Sequence, residues 1–287
     1  MGLLSQGWVK TLGSSQSARS PMPLNHVIGV DHVVVTVHDL DQAAQQWAQA
    51  GFTLSPRGLH SAHIGTANYT MMLEEDYLEL LGVVTPTDQN LRTRQFLESG
   101  EGIERTAFTA LDAVAGAADV AAEGMVPMGP VDFSRPVPLS DGSTGEARFT
   151  VFRWPVDQNP GGMRIFACQH HTRETVWLPE LTRHANGARK IKLIEIASSN
   201  PQEAAAHMSR LIKQAAIPEG DAIRVPSGQG RADFLFSTRD AFAARHPGAP
   251  IDQLPAQGAI GLVLETKLAA APKPIAVTGV LLSFTTA

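Results

Sequence analysis

Three residues that could ligate a divalent cation sit inside strand-like runs: His32 in "DHVVVTV", Glu79 in "DYLELLGV" and His170 in "RIFACQHHTRETVW". Side chains alternate faces along a strand. One face of the first run therefore reads Val33, Val35, Val37, and the other His32, Val34, Thr36, His38. The first suits a helix; the mixed one suits a cavity wall, although a lone strand histidine is more often a hydrogen-bonded core residue. In the second run Tyr77, Glu79 and Leu81 share a face. A carboxylate there is costly to bury without a positive partner. A salt bridge to Arg57 or Arg105 would satisfy it, and so would a metal ion shared with His32. In the third run adjacent histidines point to opposite faces. Phe166, Cys168 and His170 form one set, so His170 is the preferred ligand, with Gln169 in its place if the register slips by one residue.

The elements that must position these groups recur along the chain. After "DHVVVTV" come a turn and the helical "DQAAQQWAQAGF", then short strand candidates "FTLSPRG", "TANYTMML" and "DYLELLGVV". "GIERTAFTA" with "LDAVAGAADVAAEGM" repeats the opening, and "KLIEIASS" with "EAAAHMSRLIKQAAI" repeats it again, Pro201 following Asn200 as cap. "GAIGLVLETKLAAAPKPIAVTGVLLSF" reads as a shortened fourth copy. The unit is β-α-β-β-β, and a curved sheet of this kind buries both faces only by pairing. The expected class is α+β, with paired βαβββ modules forming curved mixed sheets around a central cup and helices outside. Residues 1–24 read as a flexible leader or tag, with Met22 as a candidate biological start. Residues 25–180 hold the first pair of modules with the metal site, and 181–287 a second, more compact pair.

Bulk properties narrow the function. The 287 residues carry a formal charge of −5 with 43% hydrophobic residues, which gives no electrostatic case for nucleic acid. No apolar run approaches membrane-span length, and the single Cys168 fits a reducing, cytoplasmic setting. No dinucleotide fingerprint, P-loop or nucleophile elbow occurs.

"DHVVVTVHDLDQAAQQW", "HIGTANYTMMLEEDYLELLGV", "CQHHTRETVWLPE" and "HANGARKIKLIEI" resemble the glyoxalase-like branch of the vicinal oxygen chelate superfamily, from about residue 28 to the end. The resemblance implies paired βαβββ modules around a cup. It also implies a His or Gln on a module's first strand and a Glu on its last, holding Zn, Ni, Mn, Mg or Fe(II) for a substrate with two neighbouring oxygens. His32 matches the first-strand ligand and Glu79 the last-strand ligand. The second opening strand, "GIERTAF", departs from the pattern: Glu104 or Arg105 stands in the histidine's neighbourhood, which leaves three ligands, His32, Glu79 and His170.

Around this centre, His60 and His63 are candidate general bases, with solvent-exposed loop positions as the plainer reading. Arg57 is placed to fork a substrate carboxylate. Asn68, Trp154 and Trp177 are candidate pocket walls. The function expected is a divalent-metal-dependent lyase or isomerase acting on a small vicinally oxygenated or carbonyl metabolite. The alternatives are Fe(II)-dependent extradiol-type ring cleavage, or a metal-free protein that sequesters a small molecule. A homodimer is allowed and not required.

Overall fold

The computed structural model describes residues 24–139 and 142–286. The leader, apart from Leu24, lies outside the described residues, as does Met22.

The first module comprises β1 (Val27–Val37), α1 (Leu40–Gln49), β2 (Gly58–Leu59), β3 (Thr66–Met72) and β4 (Tyr77–Val83). A short helix, α2 (Leu91–Leu97), leads to the second: β5 (Gly102–Ala110), α3 (Ala113–Ala122), β6 (Met128–Pro138), β7 (Thr144–Arg153) and β8 (Arg164–His170). The third comprises β9 (Ala188–Ala197), α4 (Pro201–Ile212), β10 (Ile217–Glu219), β11 (Ala222–Val225) and β12 (Asp233–Ser237). After α5 (Arg239–Arg245) the fourth keeps only strands: β13 (Gly258–Thr266), β14 (Ile275–Val277) and β15 (Val280–Thr286). The α+β class and the four repeats match the sequence reading. "FTLSPRG" differs: only Gly58 of it joins a strand, since Pro56 and the chain before it offer no ladder.

Each long helix starts where a side chain takes up free backbone donors. Asp39 accepts from the amides of Asp41 and Gln42, and Asp112 from those of Val114 and Ala115. Asn200 accepts from Glu203 N, with Pro201 as first helical residue. These helices bury Trp47, Val120 and Met208 in a core that runs through all four modules, with Val33, Val35, Phe108 and Ile194 from the sheets. A second cluster, among it Tyr77, Ala107, Phe149 and Cys168, lies between the first two modules.

Opening strands join the modules of each pair antiparallel: β1 with β5, and β9 with β13. Within a module the first and last full strands are parallel, as in β1 with β4 and β5 with β8. Two of the three irregularities in the β1–β5 ladder decide what the site looks like. Val30 pairs with Phe108 and His32 with Ala107, so Asp31 is the extra residue on β1. Val34 pairs with Arg105 and Val35 with Ile103, so Glu104 is the extra residue on β5. A bulge suspends the strict alternation of side chains.

Candidate metal and substrate site

His32 is buried between the two modules, stacked on Tyr77 at 4.2 Å and edge-on to Phe166 at 5.4 Å. Parallel pairing of β1 with β4 puts Val34 opposite Glu79, so the Glu79 carboxylate reaches His32 from the neighbouring strand. His32 Nε2 and Glu79 Oε2 stand 3.6 Å apart. Asn68 on β3 donates from Nδ2 to Glu79 Oε1 at 2.8 Å. The imidazole and the carboxylate thus face each other, as the sequence reading required.

His170 is held differently. The carboxylate that joins it to His32 is Asp31, not Glu79. Its oxygen Oδ2 accepts from His32 Nδ1 at 2.7 Å and His170 Nε2 at 2.9 Å, and Thr109 donates to Oδ1 at 2.9 Å. Alternation would put Asp31 with Val33 on the helix side; the bulge turns it beside His32. Complete burial works against its charge, but His170 and His32 outweigh this and hold the Asp31 carboxyl well below the usual carboxylate range. An ionised carboxylate only accepts, so His32 Nδ1 carries a proton toward Asp31, and Nε2 is the ring atom that faces Glu79. His170 Nδ1 is buried with no hydrogen-bond partner.

These residues offer two places for a cation. Donor atoms of Asp31, His32 and His170 lie within 4.8 Å of one another, a group that could hold a metal ion. Its N···O spacings of 2.7 and 2.9 Å are those of hydrogen bonds. Two ligands each about 2.0–2.2 Å from one ion are roughly 3.3–3.6 Å apart at tetrahedral angles. The 3.6 Å between His32 Nε2 and Glu79 Oε2 matches that spacing without rearrangement. With Asp31 behind Nδ1 in the usual position of an orienting carboxylate, the donors present fit a divalent ion on the Nε2 side.

The second module repeats the arrangement with other chemistry. Arg105 precedes the Asp112 cap by the same distance that His32 precedes Asp39, and bulged Glu104 corresponds to bulged Asp31. The correspondence extends to their threonines: Thr109 of β5 donates to Asp31, while Thr36 of β1 donates to Glu104 at 2.7 Å. Glu104 also accepts from Arg105 Nε at 3.1 Å and pairs with Arg164. In the parallel register Phe166 holds the place on β8 that Glu79 holds on β4. Two of the four positions facing the centre are thus His32 and Glu79, and the other two are Arg105 and Phe166. Burial pulls the Arg105 guanidinium down to about 10, with Glu79 opposing, so it stays charged at neutral pH.

The remaining sequence candidates separate cleanly. His60, at the end of β2, is hydrogen-bonded through Nδ1 to Thr66 Oγ1 at 2.7 Å. Burial lowers its pKa, and of its charged neighbours Glu79 opposes the shift while Arg135 and Arg105 add to it. These neighbours place His60 at the cup. Asn68 is there too, and Trp177 packs on Tyr77 at 5.4 Å and His170 at 5.1 Å. His63 stands exposed on the turn before β3. Arg57 is exposed and turned to Asp41 of α1, 2.9 Å away. Trp154 is core: its ring packs with Phe108 and Phe152, and its Nε1 donates to Leu211 O at 3.2 Å. Cys168 is buried among apolar side chains, and burial pushes its thiol up, so it is no nucleophile. A cleft of about 430 Å³ lies elsewhere, lined by Ile103, Gly161, Asn200 and Gln257 among others, and none of the cup residues borders it.

A family model for the glyoxalase-like domain matches residues 30–212, and the chain belongs to this family, within the vicinal oxygen chelate superfamily. No curated protein matches the sequence. Among solved structures, a hypothetical protein from Staphylococcus aureus superposes with a TM-score of 0.70 at 14% identity, covering 90% of this chain and 99% of its own. A triple mutant of 4-hydroxymandelate synthase from Streptomyces coelicolor gives 0.51 at 14% identity, covering 84% of this chain and 71% of its own. Methylmalonyl-CoA epimerase from Mycobacterium tuberculosis gives 0.38 at 19% identity over 52% of this chain and 93% of its own. Among the described residues no helix is long and apolar enough to cross a membrane.

Proposed function

We propose that this chain is an enzyme of lyase or isomerase type whose first cup takes a small oxygenated carbonyl metabolite, with His32 Nε2 and Glu79 as protein ligands of a divalent cation. One observation carries the reading: the 3.6 Å approach of these two atoms, with the other ring nitrogen of His32 committed to buried Asp31. A cation there would supply Lewis-acid polarisation of a substrate oxygen. The chain's own residues supply the rest. Asp31 fixes the His32 tautomer, and Asn68 orients Glu79. His60, neutral at pH 7, can accept a proton from a carbon beside a carbonyl, while Arg105 can stabilise negative charge that develops on oxygen.

Titration of metal-stripped protein with Zn²⁺, Ni²⁺ and Mn²⁺ by calorimetry tests this reading. One site per chain is expected, weakened at least a hundredfold in both His32→Ala and Glu79→Ala. Equal affinity in wild type and both variants would overturn it. Ring cleavage by Fe(II) needs two histidines and a carboxylate around one ion; Asp31, His32 and His170 are such a set, but their 2.7 and 2.9 Å spacings are those of hydrogen bonds, so this reading requires the three to part around the ion. Sequestration without metal keeps one observation in its favour, the Arg105 and Phe166 pair where two more ligands would stand. Absence of any divalent-ion binding in the same titration would select it.

A further inference from the structure

The cleft of about 430 Å³ lies where the two module pairs meet, apart from the cup. Gly102 and Ile103 of β5 line it from the first pair, and Ala197 of β9 with Gly258 and Ala259 of β13 line it from the second. The ladder joins the pairs there through one register pair, Ile103 with Ala259. Part of the wall is bare main chain: a Cβ on Gly100, Gly162 or Gly258 would meet nothing within 4 Å. A smaller cleft of about 210 Å³ shares Ser198, Ser199 and Gln257 with the larger one, so the two form one groove. Its size is that of small-molecule sites, which favour such junctions.

The lining argues against two kinds of ligand. The charged side chains of the larger cleft are Glu101 and Glu203, with no lysine or arginine. The smaller adds Asp240 and Arg239, and the Arg239 guanidinium is turned onto the carbonyls of Ile251, Leu254 and Pro255. His207 is hydrogen-bonded through Nε2 to Gln158 Oε1 at 2.9 Å, and burial, helped by Arg210, lowers its pKa, so it is uncharged at pH 7. An anion would therefore meet carboxylates with no free cation to offset them. An ammonium fails for another reason. Ser99, Ser199 and Gln257 have no side-chain partner among the described residues, and each both donates and accepts. A ligand that only donates would leave their donors unmet. Glu101 Oε1 accepts from His38 N at 2.6 Å and Glu203 Oε2 from Asn200 Nδ2 at 2.8 Å, so each carboxylate keeps one oxygen for a ligand. Hydroxyls, donors and acceptors at once, answer both sets of groups. Phe96, Ile103 and Pro255 supply the apolar part of the wall.

We infer that this groove is a second ligand site for an uncharged polyhydroxylated molecule the size of a mono- or disaccharide. Glu101 and Glu203 accept from its hydroxyls, Ser99, Ser199 and Gln257 exchange hydrogen bonds with them, and Phe96 covers an apolar face of a ring. The inference stands on the groove alone and is independent of the metal reading of the cup.

Ligand-observed NMR on the full chain, with affinities from titration, tests it. Glucose and maltose are expected to bind. Glucose 6-phosphate should bind at least tenfold more weakly than glucose, and putrescine should not bind. Glu101→Gln combined with Glu203→Gln should narrow the gap between glucose 6-phosphate and glucose to about threefold. Ser199→Trp and Gln257→Trp, at exposed positions on the groove, should each weaken both sugars at least tenfold with an unchanged circular dichroism spectrum. Sugar binding should persist in His32→Ala, since the groove and the cup share no residue. Failure of both sugars to bind, binding of putrescine, equal binding of glucose 6-phosphate and glucose, or full sugar affinity in both Trp variants would overturn the inference.

Discussion

The two module pairs share one architecture and use it in opposite ways. In the first, the bulged residues of the opening strands are Asp31 and Glu104, and each gathers cationic or histidine partners at the centre. In the second, the corresponding bulges of the β9–β13 ladder are Lys192 and Ile260. Lys192 pairs with Glu265 near solvent, and Ile260 packs with Phe242 of α5. Gly261, in the place of Arg105, lets Phe242 approach: a Cβ there would sit 2.8 Å from its ring. Glu195 of β9 is buried, but His246 and Arg245 at the end of α5 meet it at 2.8 and 3.4 Å, so the chain satisfies its own charge. One pair keeps unmet polar atoms, Asn68 Oδ1 and His170 Nδ1; none stands in the other among the described residues. Pairing supplies a concave face, and the residues at and after the bulge decide whether that face keeps unmet polar atoms or is closed by a helix.

The strongest way to break this comparison is to exchange the bulge residues for alanine. Asp31→Ala leaves His32, His170 and Thr109 without their shared acceptor and should cost about 3–5 kcal/mol in urea unfolding. Lys192→Ala, at the corresponding exposed position, should change stability by no more than about 0.5 kcal/mol. Comparable losses would show that the two bulges do equivalent work.

The seam between the pairs is sensitive to pH. Asp76, before β4, accepts from Ile191 N of β9, and burial raises its pKa to about 7, against the pull of that amide and of Arg231 and Lys190. The folded chain then holds this proton up to about pH 7, whereas the unfolded chain releases it near the ordinary aspartate value of 3.8. Stability from this group is therefore full below pH 4, falls as pH rises to 7, and is flat above. Asp76→Asn should stabilise at pH 8 by at most about 4 kcal/mol, each tenfold difference in proton affinity between the folded and unfolded chain being worth about 1.4 kcal/mol, and should gain little at pH 4. Melting curves at both values decide it; a gain independent of pH would contradict the assignment.

Gly261→Ala sharpens the comparison from the other side. Overpacking against Phe242 should cost about 1–3 kcal/mol, while divalent-ion affinity in the first cup stays at the wild-type value. A loss of metal binding in this variant would mean that the two pairs are coupled.

How much of this was legible in the sequence follows from the range of each interaction. The repeats were, because strand alternation and the caps Asp39, Asp112 and Asn200 are local. The meeting of His32 and Glu79 was too, since one parallel pairing within a module suffices. Asp31 was not: alternation assigns it to the helix face, and the bulge exists only in the pairing of β1 with β5. A signal was nonetheless present, an acid followed by a cationic or imidazole side chain at matching distances from the two caps, Asp31–His32 and Glu104–Arg105. Arg135 lies on β6, where no local pattern marks it as a charged neighbour of His60. Arg57 and Trp154 had suitable chemistry, yet one turns to α1 and the other into the core, which only packing decides.

The central claim is that the cation belongs on the Nε2 side of His32. An anomalous difference map from crystals soaked in Zn²⁺ tests it most directly. The expected result is one peak in the first cup, within about 2.3 Å of both His32 Nε2 and Glu79 Oε2. A peak instead between Asp31 and His170, or no peak in the cup, would contradict it.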